Sequence, residues 1–442
     1  MDVHQLHLSR RKFLEFAATA AAGTALAACA PPAAPAPADG SSSSAASPAK
    51  EALSLRVHHR LGGECDNWTF RAEEYMKQNP DVQVVPECFP GADYFKKLNT
   101  MAAGGTLGDV FWISSIEGYY RMAAGGVCAP LDDLVAASNF DLGQLYQTCV
   151  EAAKLRGKLY GLPQLAHPGR VGLYYSKPLF DEKKIEYPTD KWTYDDLTTA
   201  TQKLADPANG VYGFLSYADY FSMLVWARAW GGDFINEDGT KCPLNKPETV
   251  ASLQWYTDLI NSKAAVIPSV AGSDQNQMFV AKKLGMYQSG FWGNSVRDFV
   301  EEGTWGVVPM PYGPIGKQGS MFESDPACLA ATSTNKEAAF QWMTTLVSKD
   351  AQLRFFEKAG APSSRPDAMA SPEVQADANM KVFAGVMAEA MPLVLPANFR
   401  ETEYFKTITE GLTPVWLGEV TLEEVIDPLT KSAQEILDKP AL

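Results

Sequence analysis

The chain has 442 residues and a formal net charge of −14, with 52 Asp and Glu against 38 Lys and Arg. This excess of acid argues against nucleic-acid binding, because such surfaces concentrate Lys and Arg, and against docking on anionic lipid through charge. After its N-terminal segments the chain retains about 390 residues, which is enough for two domains or lobes.

The first 28 residues are predicted to be an export signal that lies outside the fold. Arg10 and Arg11 form a twin-arginine pattern, and the apolar run 17–28 is about half the ~20 residues that a membrane span needs. Residues 26–29 (LAAC) match the pattern that lipoprotein signal peptidase cleaves. We therefore expect cleavage before Cys29, lipidation of its thiol and anchoring on the outer face of the cell membrane.

Residues 29–50 are predicted to be the lipidated Cys29 followed by a disordered tether. This segment is rich in Pro, Ala and Ser and contains no aromatic residue, so it cannot bury enough surface to fold. No second hydrophobic span follows it, so the lipid would be the only membrane attachment.

Alternating strands and helices begin after the tether. The pattern predicts strands at 53–59, 81–88 and 108–113, with helices at 65–78 and 94–103 between them. This βαβαβ order indicates a parallel sheet covered by helices. Ligands bind beyond the carboxyl ends of such strands, so the loops 60–64, 88–93 and 114–118 should line one side of a cleft.

Six cysteines remain when Cys29 is set aside. An even number in an oxidising compartment predicts up to three disulfides, and we favour pairs within one supersecondary unit. The favoured pairs are Cys65–Cys88 and Cys128–Cys149, which leave Cys242–Cys328 by elimination. Partly buried free thiols are the alternative. No C-x-x-C spacing is present, so neither a zinc nor a redox motif is predicted, and no metal site is expected.

Two segments in the middle of the chain carry a specific resemblance. Residues 157–163 (GKLYGLP) and 172–180 (GLYYSKPLF) resemble the GKxYGLP…LYYNKxLF signature of the family 1 extracellular solute-binding proteins, which include maltose- and glycerol-phosphate-type binders. Further similar segments follow one another along nearly the whole chain, at 106–110, 125–134, 192–197, 230–232, 279–293 and 332–339. The chain departs from the pattern at Ser176, where Asn is usual, and at 283–285, where Gly-Lys is usual.

The resemblance implies an α/β fold of the periplasmic-binding-protein type, with two lobes, a hinge of two or three crossings and an interlobe cleft. It places the crossings near 165–170, 327–330 and 380–392. The N-terminal lobe would then comprise residues 51–166 and 328–385, and the C-terminal lobe residues 167–327 and 386–442.

The resemblance also implies the function. We expect a monomeric, extracytoplasmic component of an ABC importer that needs no cofactor, binds a sugar or oligosaccharide between its lobes and delivers it to the permease subunits. One alternative is the same fold binding a phosphorylated polyol, a polyamine or ferric iron. A remote alternative is a secreted carbohydrate-active enzyme, but no G-x-S-x-G, H-E-x-x-H or P-loop motif is present, and no catalytic residue is predicted.

Candidate ligand-binding residues fall at positions where the resemblance places the cleft walls. They are Glu64, Trp112, Ser114, Ser115, His167, Arg170, Asp219, Tyr220, Trp292, Asn398, Phe399 and Arg400. Six of them have a structural alternative. Trp292 could belong to the core, Glu64 could favour a helix N-terminus, and Trp112 could face either core or cleft according to register. Asp219 and Tyr220 could form a solvated turn, whereas Arg170 could be purely structural.

Overall fold

A computed structural model describes residues 53–441, apart from 273–274, 324 and 388–389. The predicted export signal, Cys29 and the predicted tether lie outside the described residues.

The first lobe is built on a five-stranded sheet. Its strand order is Val82–Phe89, Leu53–Arg60, Val110–Trp112, Pro326–Leu329 and Gly161–Pro163. The first three strands pair in parallel, as the predicted βαβαβ order requires, whereas Pro326–Leu329 runs antiparallel to both of its neighbours. The bounds of the three parallel strands lie within two residues of those predicted from the sequence.

Helices pack against this sheet. Gly63–Gln78 buries Cys65, Trp68, Ala72 and Tyr75, whose spacing of three or four residues forms one apolar stripe. The other helices of this lobe are Gly91–Ala103, Tyr119–Ala124, Asp132–Ser138, Gln147–Ala152, Lys336–Leu346 and Lys349–Ala359.

The second lobe has its own five-stranded sheet, in the order Ala265–Val266, Tyr212–Leu215, Leu284–Ser289, Gly172–Ser176 and Trp305–Pro309. The strand Gly172–Ser176 is antiparallel to both of its neighbours. Its helices are Lys177–Lys183, Tyr194–Leu204, Tyr220–Ala229, Pro247–Asn261, Pro268–Ala271, Gln275–Val280, Ala378–Met387, Glu401–Trp416 and Leu422–Leu437. Every residue of Tyr220–Ala229 is buried, because other elements surround that helix on all sides.

The chain passes between the two lobes three times, twice between strands of the two sheets and once between helices. The first crossing lies between Pro163 and Gly172, and the second lies between Pro309 and Pro326. A two-stranded antiparallel sheet, His167–Pro168 with Phe322–Glu323, joins these two crossings, and we call its members the hinge strands. The two lobes are expected to move relative to each other about these hinge strands.

Two crossings differ from those expected. The chain returns before Pro326 and not at 327–330, because Pro326–Leu329 is already a strand of the first sheet. The last crossing precedes 380–392, since Lys349–Ala359 packs on the first lobe and Ala378–Met387 packs on the strand Trp305–Pro309. Residues 378–385 therefore pack with the second lobe and not with the first.

One predicted disulfide is confirmed and two are wrong. Cys65 and Cys88 are bonded across a Cα separation of 6.2 Å and join the first helix to the end of the second strand. Cys128, Cys149, Cys242 and Cys328 are buried free thiols. Cys128 and Cys328 belong to one cluster of buried apolar side chains, whereas Cys149 and Cys242 belong to the other cluster, so neither predicted pair shares a cluster.

Within the residues that the structure describes, no helix combines the length and the apolar character needed to cross a bilayer.

Candidate functional site

A cavity of about 400 Å³ lies where the two lobes meet, a volume typical of small-molecule sites. The residues that line it come from both lobes and from the hinge strands. They are Arg60, Phe95, Trp112, Ser114, Ile116, Glu117, His167, Arg170, Trp292, Glu323 and Asp325.

The first-lobe wall follows from the ends of parallel strands. Arg60 ends one strand and Trp112 ends another, and the turn Ser115–Glu117 follows directly, with the Ser114 hydroxyl accepting a hydrogen bond from the Ile116 backbone N–H. Two of the three expected loops therefore reach the cavity. The third, 88–93, does not, and Phe95 of the next helix takes its place.

Arg60 and Trp112 form one side of the cavity together. The Arg60 guanidinium donates to both carboxylate oxygens of Glu64, at 2.6 and 2.8 Å, and its carbon lies 4.5 Å from the centroid of the Trp112 ring. On the inner side Trp112 stacks on His59, with centroids 5.0 Å apart. The indole N–H of Trp112 is buried and has no hydrogen-bond partner among the described residues.

The opposite wall repeats this arrangement with different residues. Arg170 donates to both oxygens of Asp219, at 3.0 and 2.5 Å, and its guanidinium carbon lies 5.4 Å from the Trp292 centroid. Asp219 also accepts from the Ser222 N–H and thereby caps the helix Tyr220–Ala229. Each lobe thus presents a tryptophan beside an arginine that a carboxylate holds in place.

The hinge strands contribute a histidine between two acids. His167 Nδ1 is hydrogen-bonded to Asp325 and lies 3.9 Å from Glu323 Oε2, and the His167 ring stands perpendicular to that of Trp292. Burial alone would lower the pKa of His167, but Glu323 and Asp325 together outweigh it and raise that pKa to about 9. The ring is therefore a cation at neutral pH.

The acids that line the cavity differ in the direction in which their pKa is shifted. Burial would raise the pKa of Asp325, but the His167 cation and, more weakly, Arg60 hold that pKa below its usual range. Burial raises the pKa of Glu323 and that of Glu117, and the charge of Asp325 adds to both shifts. In addition, His167 Nε2 and Glu323 Oε2 are buried without a hydrogen-bond partner in the described part of the chain.

The structure brings most of the candidate residues together. Five of them line the cavity, namely Trp112, Ser114, His167, Arg170 and Trp292. Glu64 and Asp219 do not line it, but each fixes one of its arginines. Ser115 is buried within the turn behind the wall. Ligand contact by these residues stays a prediction.

Tyr220 lies outside the cavity. It is fully buried, and its ring packs against Phe405 at a centroid distance of 4.2 Å and against Phe234 at 5.3 Å. It follows Asp219, which does reach an arginine of the cavity, but helical geometry turns Tyr220 into the core of the second lobe.

The C-terminal candidates also lie away from the cavity. Asn398 donates to the carbonyl of Ile436 at 2.7 Å and caps the last helix, and Arg400 donates to the carbonyl of Pro440 and pairs with Glu403. Phe399 is covered by the Arg156 guanidinium of the first lobe, 5.5 Å from its centroid. Asn398 and Arg400 thus fix the C-terminal segment of the chain, and Phe399 contributes to a contact between the two lobes.

Six lining residues were not among the candidates, namely Arg60, Phe95, Ile116, Glu117, Glu323 and Asp325. Arg60, Ile116 and Glu117 lie in the loops that strand polarity had indicated, so that signal was present. Glu323 and Asp325 were missed because the return crossing was placed a few residues too late. Their position directly before the buried strand Pro326–Leu329 was a signal in the sequence that could have marked both acids as candidates.

The chain is similar in sequence to known solute-binding proteins. Residues 71–382 match the model of a family described as bacterial extracellular solute-binding protein. The maltotriose-binding protein of Pyrococcus abyssi is 28% identical over 300 residues, which cover 65% of this chain and 61% of that protein.

Two solved structures share the fold over nearly their whole length. An ABC substrate-binding protein from Listeria monocytogenes, in complex with cycloalternan, aligns with a TM-score of 0.77 at 24% identity, over 87% of this chain and 98% of its own. The GacH receptor of Streptomyces glaucescens, studied unliganded and with acarbose, aligns with a TM-score of 0.78 at 22% identity, over 88% and 99%. The two-lobe fold expected from the sequence is thereby confirmed.

Proposed function

Because this chain belongs to the bacterial extracellular solute-binding proteins, we propose that it binds a sugar or short oligosaccharide between its lobes and delivers it to the permease of an ABC importer. The observation that carries this proposal is a cavity between two lobes with a tryptophan on each side, Trp112 and Trp292. The maltotriose-binding relative supports the choice of a sugar.

The cavity matches what a sugar ring needs. The C–H faces of a sugar ring pack on aromatic side chains, and the hydroxyl groups of the sugar both donate and accept hydrogen bonds. The indole N–H of Trp112 and the carboxylate oxygen of Glu323 are buried polar atoms that the described residues leave without a partner. Such atoms are costly to bury unsatisfied, so ligand hydroxyls that bind them would gain affinity.

The charges of the cavity disfavour an anionic ligand. A phosphorylated polyol would need unpaired Arg or Lys, but Arg60 and Arg170 are each paired in bidentate fashion with a carboxylate. The lining acids Glu117, Glu323 and Asp325 would repel a phosphate. Among the described residues that line the cavity there is no tyrosine, so they do not form the tight tyrosine cluster that a ferric site would want.

We propose binding without chemical conversion, because the family consists of binding proteins. A ligand incubated with the protein and then released by denaturation should be recovered intact by mass spectrometry. Cleavage of the ligand at a rate that depends on the protein would instead favour the carbohydrate-active enzyme.

We further propose that the protein is a monomer held at the membrane through lipid on Cys29. The residues 26–29 and the twin arginine support export and lipidation. The 22 residues from 29 to 50 would let the lobes reach a permease while the lipid stays in the bilayer.

A thermal-shift screen tests the proposed ligand class. The purified protein would be heated with neutral mono-, di- and oligosaccharides, polyols, phosphorylated polyols and polyamines. A ligand present at 100 times its Kd should add ~2.7 kcal/mol to the free energy of unfolding. Stabilisation by a sugar supports the proposal, whereas stabilisation only by a phosphorylated polyol would overturn it.

A further inference from the structure

Two carboxylates of the cavity have no strong cationic partner of their own. Every cation that lines the cavity already binds another acid: Arg60 binds Glu64, Arg170 binds Asp219 and His167 binds Asp325. Glu117 and Glu323 remain, and neither forms an ion pair with an Arg or Lys among the described residues. His167, at 3.9 Å, is the nearest cation to Glu323 but is hydrogen-bonded to Asp325.

These two carboxylates come from different elements that line the cavity. Glu117 ends the turn Ser115–Glu117 of the first lobe, and Glu323 ends the hinge strand Phe322–Glu323. When the acids that hold the arginines are included, the described residues of the site contribute five carboxylates and three cations. Closing the lobes around this excess of negative charge is therefore unfavourable unless a ligand compensates it.

Glu323 is the clearer example of a carboxylate that lacks a partner among the described residues. Its side chain is 2% exposed and lines the cavity, and its Oε2 has no hydrogen-bond partner in the described part of the chain. A buried carboxylate is stable only when it is paired and hydrogen-bonded. The groups that satisfy it best are N–H donors that carry a positive charge, because such hydrogen bonds are about twice as strong as neutral ones.

We propose that the ligand is a sugar carrying a protonated amino group, bound through that group by Glu323 and Glu117. This inference rests on the proposed function and narrows its substrate class. An ammonium has three donors and no acceptor, so it can bind two carboxylates at once. Because Glu117 belongs to the first lobe and Glu323 to the hinge, a ligand that binds both, and that also contacts Trp292 of the second lobe, favours the closed arrangement of the lobes. The rings of Trp112 and Trp292 take the apolar faces of the sugar, which a linear polyamine lacks.

Matched sugars provide the test. Glucosamine, galactosamine and mannosamine, each with its neutral parent hexose and its N-acetyl form, would be titrated calorimetrically into the full chain, with maltotriose and spermidine in the same series. N-acetylation removes the charge and keeps the ring. At least one hexosamine should bind tenfold or more tightly than both of its neutral counterparts.

Variants assign the effect to the two carboxylates. Glu323→Gln and Glu117→Gln should each reduce the ratio of the amine affinity to the neutral-sugar affinity at least fivefold, because glutamine keeps a hydrogen-bonding side chain of the same size but removes the charge. Glu182→Gln, on an exposed surface position, is the matched control and should keep the preference. If Glu323→Gln fails to fold, as judged by circular dichroism, Glu117→Gln at a half-buried position carries the test.

The outcomes separate this inference from the proposed function. Neutral hexoses, N-acetyl forms or maltotriose that bind as tightly as the amines would overturn the amino-sugar inference and leave sugar binding standing. Binding of spermidine without binding of any sugar would overturn sugar binding itself. A preference for the amine that survives both glutamine substitutions would show that other groups bind it and would overturn the assignment to Glu323 and Glu117.

Discussion

The Arg170 guanidinium donates two hydrogen bonds to Asp219, at 3.0 and 2.5 Å, and the same group lies 5.4 Å from the ring of Trp292. Asp219 begins a helix of the second lobe, whereas Arg170 lies in the first crossing between the lobes. The pair therefore fixes the crossing to the second lobe and orients a cation beside the tryptophan that faces the cleft.

Replacing Trp292 with Ala should weaken ligand binding by about 2–4 kcal/mol, as at other buried aromatic hot spots. The ring lines the cavity and contributes apolar area that Ala cannot replace. Titration calorimetry with the ligand found in the screen measures the loss, and Trp292→Phe should retain part of the affinity. Unchanged affinity in a folded Ala variant would reject the stacking role, and an unfolded variant would indicate core packing instead.

Asp219→Asn should weaken ligand binding more than it weakens folding. Asn caps a helix about as well as Asp, so the hydrogen bond from the Ser222 N–H is kept, but the charge that holds Arg170 is lost. Asp219→Ala removes the cap as well and should cost ~1 kcal/mol more in unfolding free energy. Urea denaturation and ligand titration of both variants separate the two roles; equal affinity of Asp219→Asn and wild type would contradict the role of the pair in the site.

Stability should fall as the pH rises from about 6.5 to about 9, because of His167. Its pKa is raised to about 9 in the folded protein, so the folded state holds a proton that the unfolded state has lost in this range. The contribution is complete below pH ~6.5 and decreases by at most about 1.4 kcal/mol per pH unit above it. Urea unfolding of wild type and His167→Gln at pH 6, 7.5 and 9 measures this, and a variant with the same pH slope as wild type would contradict the assignment.

The thiols of Cys128, Cys149, Cys242 and Cys328 should react with iodoacetamide only after the protein is unfolded. All four are buried, and burial raises the pKa of Cys149 to about 12, which keeps it from forming the reactive thiolate. Cys65 and Cys88 should stay unlabelled until they are reduced, and their reduction should cost ~3 kcal/mol for a loop of this length. Mass spectrometry of the unreduced protein checks the pattern, and a second disulfide would contradict it.

Cys29→Ala should move the protein from the membrane fraction to the soluble fraction of the producing cell. The prediction follows from residues 26–29, since without the thiol no lipid can be attached. Immunoblotting of the two fractions measures the distribution, with Cys242→Ala as a control that should remain with the membrane. Retention of the Cys29→Ala variant on the membrane would reject the lipid anchor.

Local patterns in the sequence determined a large part of this structure. The strands and helices of the first βαβαβ unit follow from apolar periodicity, because side chains alternate between the two faces of a strand and recur every three or four residues on one face of a helix. The Cys65–Cys88 bond was predictable for the same reason, because its two cysteines belong to one such unit. Strand polarity also indicated the first-lobe wall, since the carboxyl ends of parallel strands meet at one edge.

Only the tertiary structure decided which distant side chains meet at the cleft. Glu323 and Asp325 meet His167 because two crossings more than 150 residues apart pair as hinge strands, and no local period encodes that pairing. Asn398 caps a helix end about 40 residues away and so leaves the cleft, although its neighbours in sequence gave no sign of this. Neither contact follows from local sequence, because each depends on how the remainder of the chain packs.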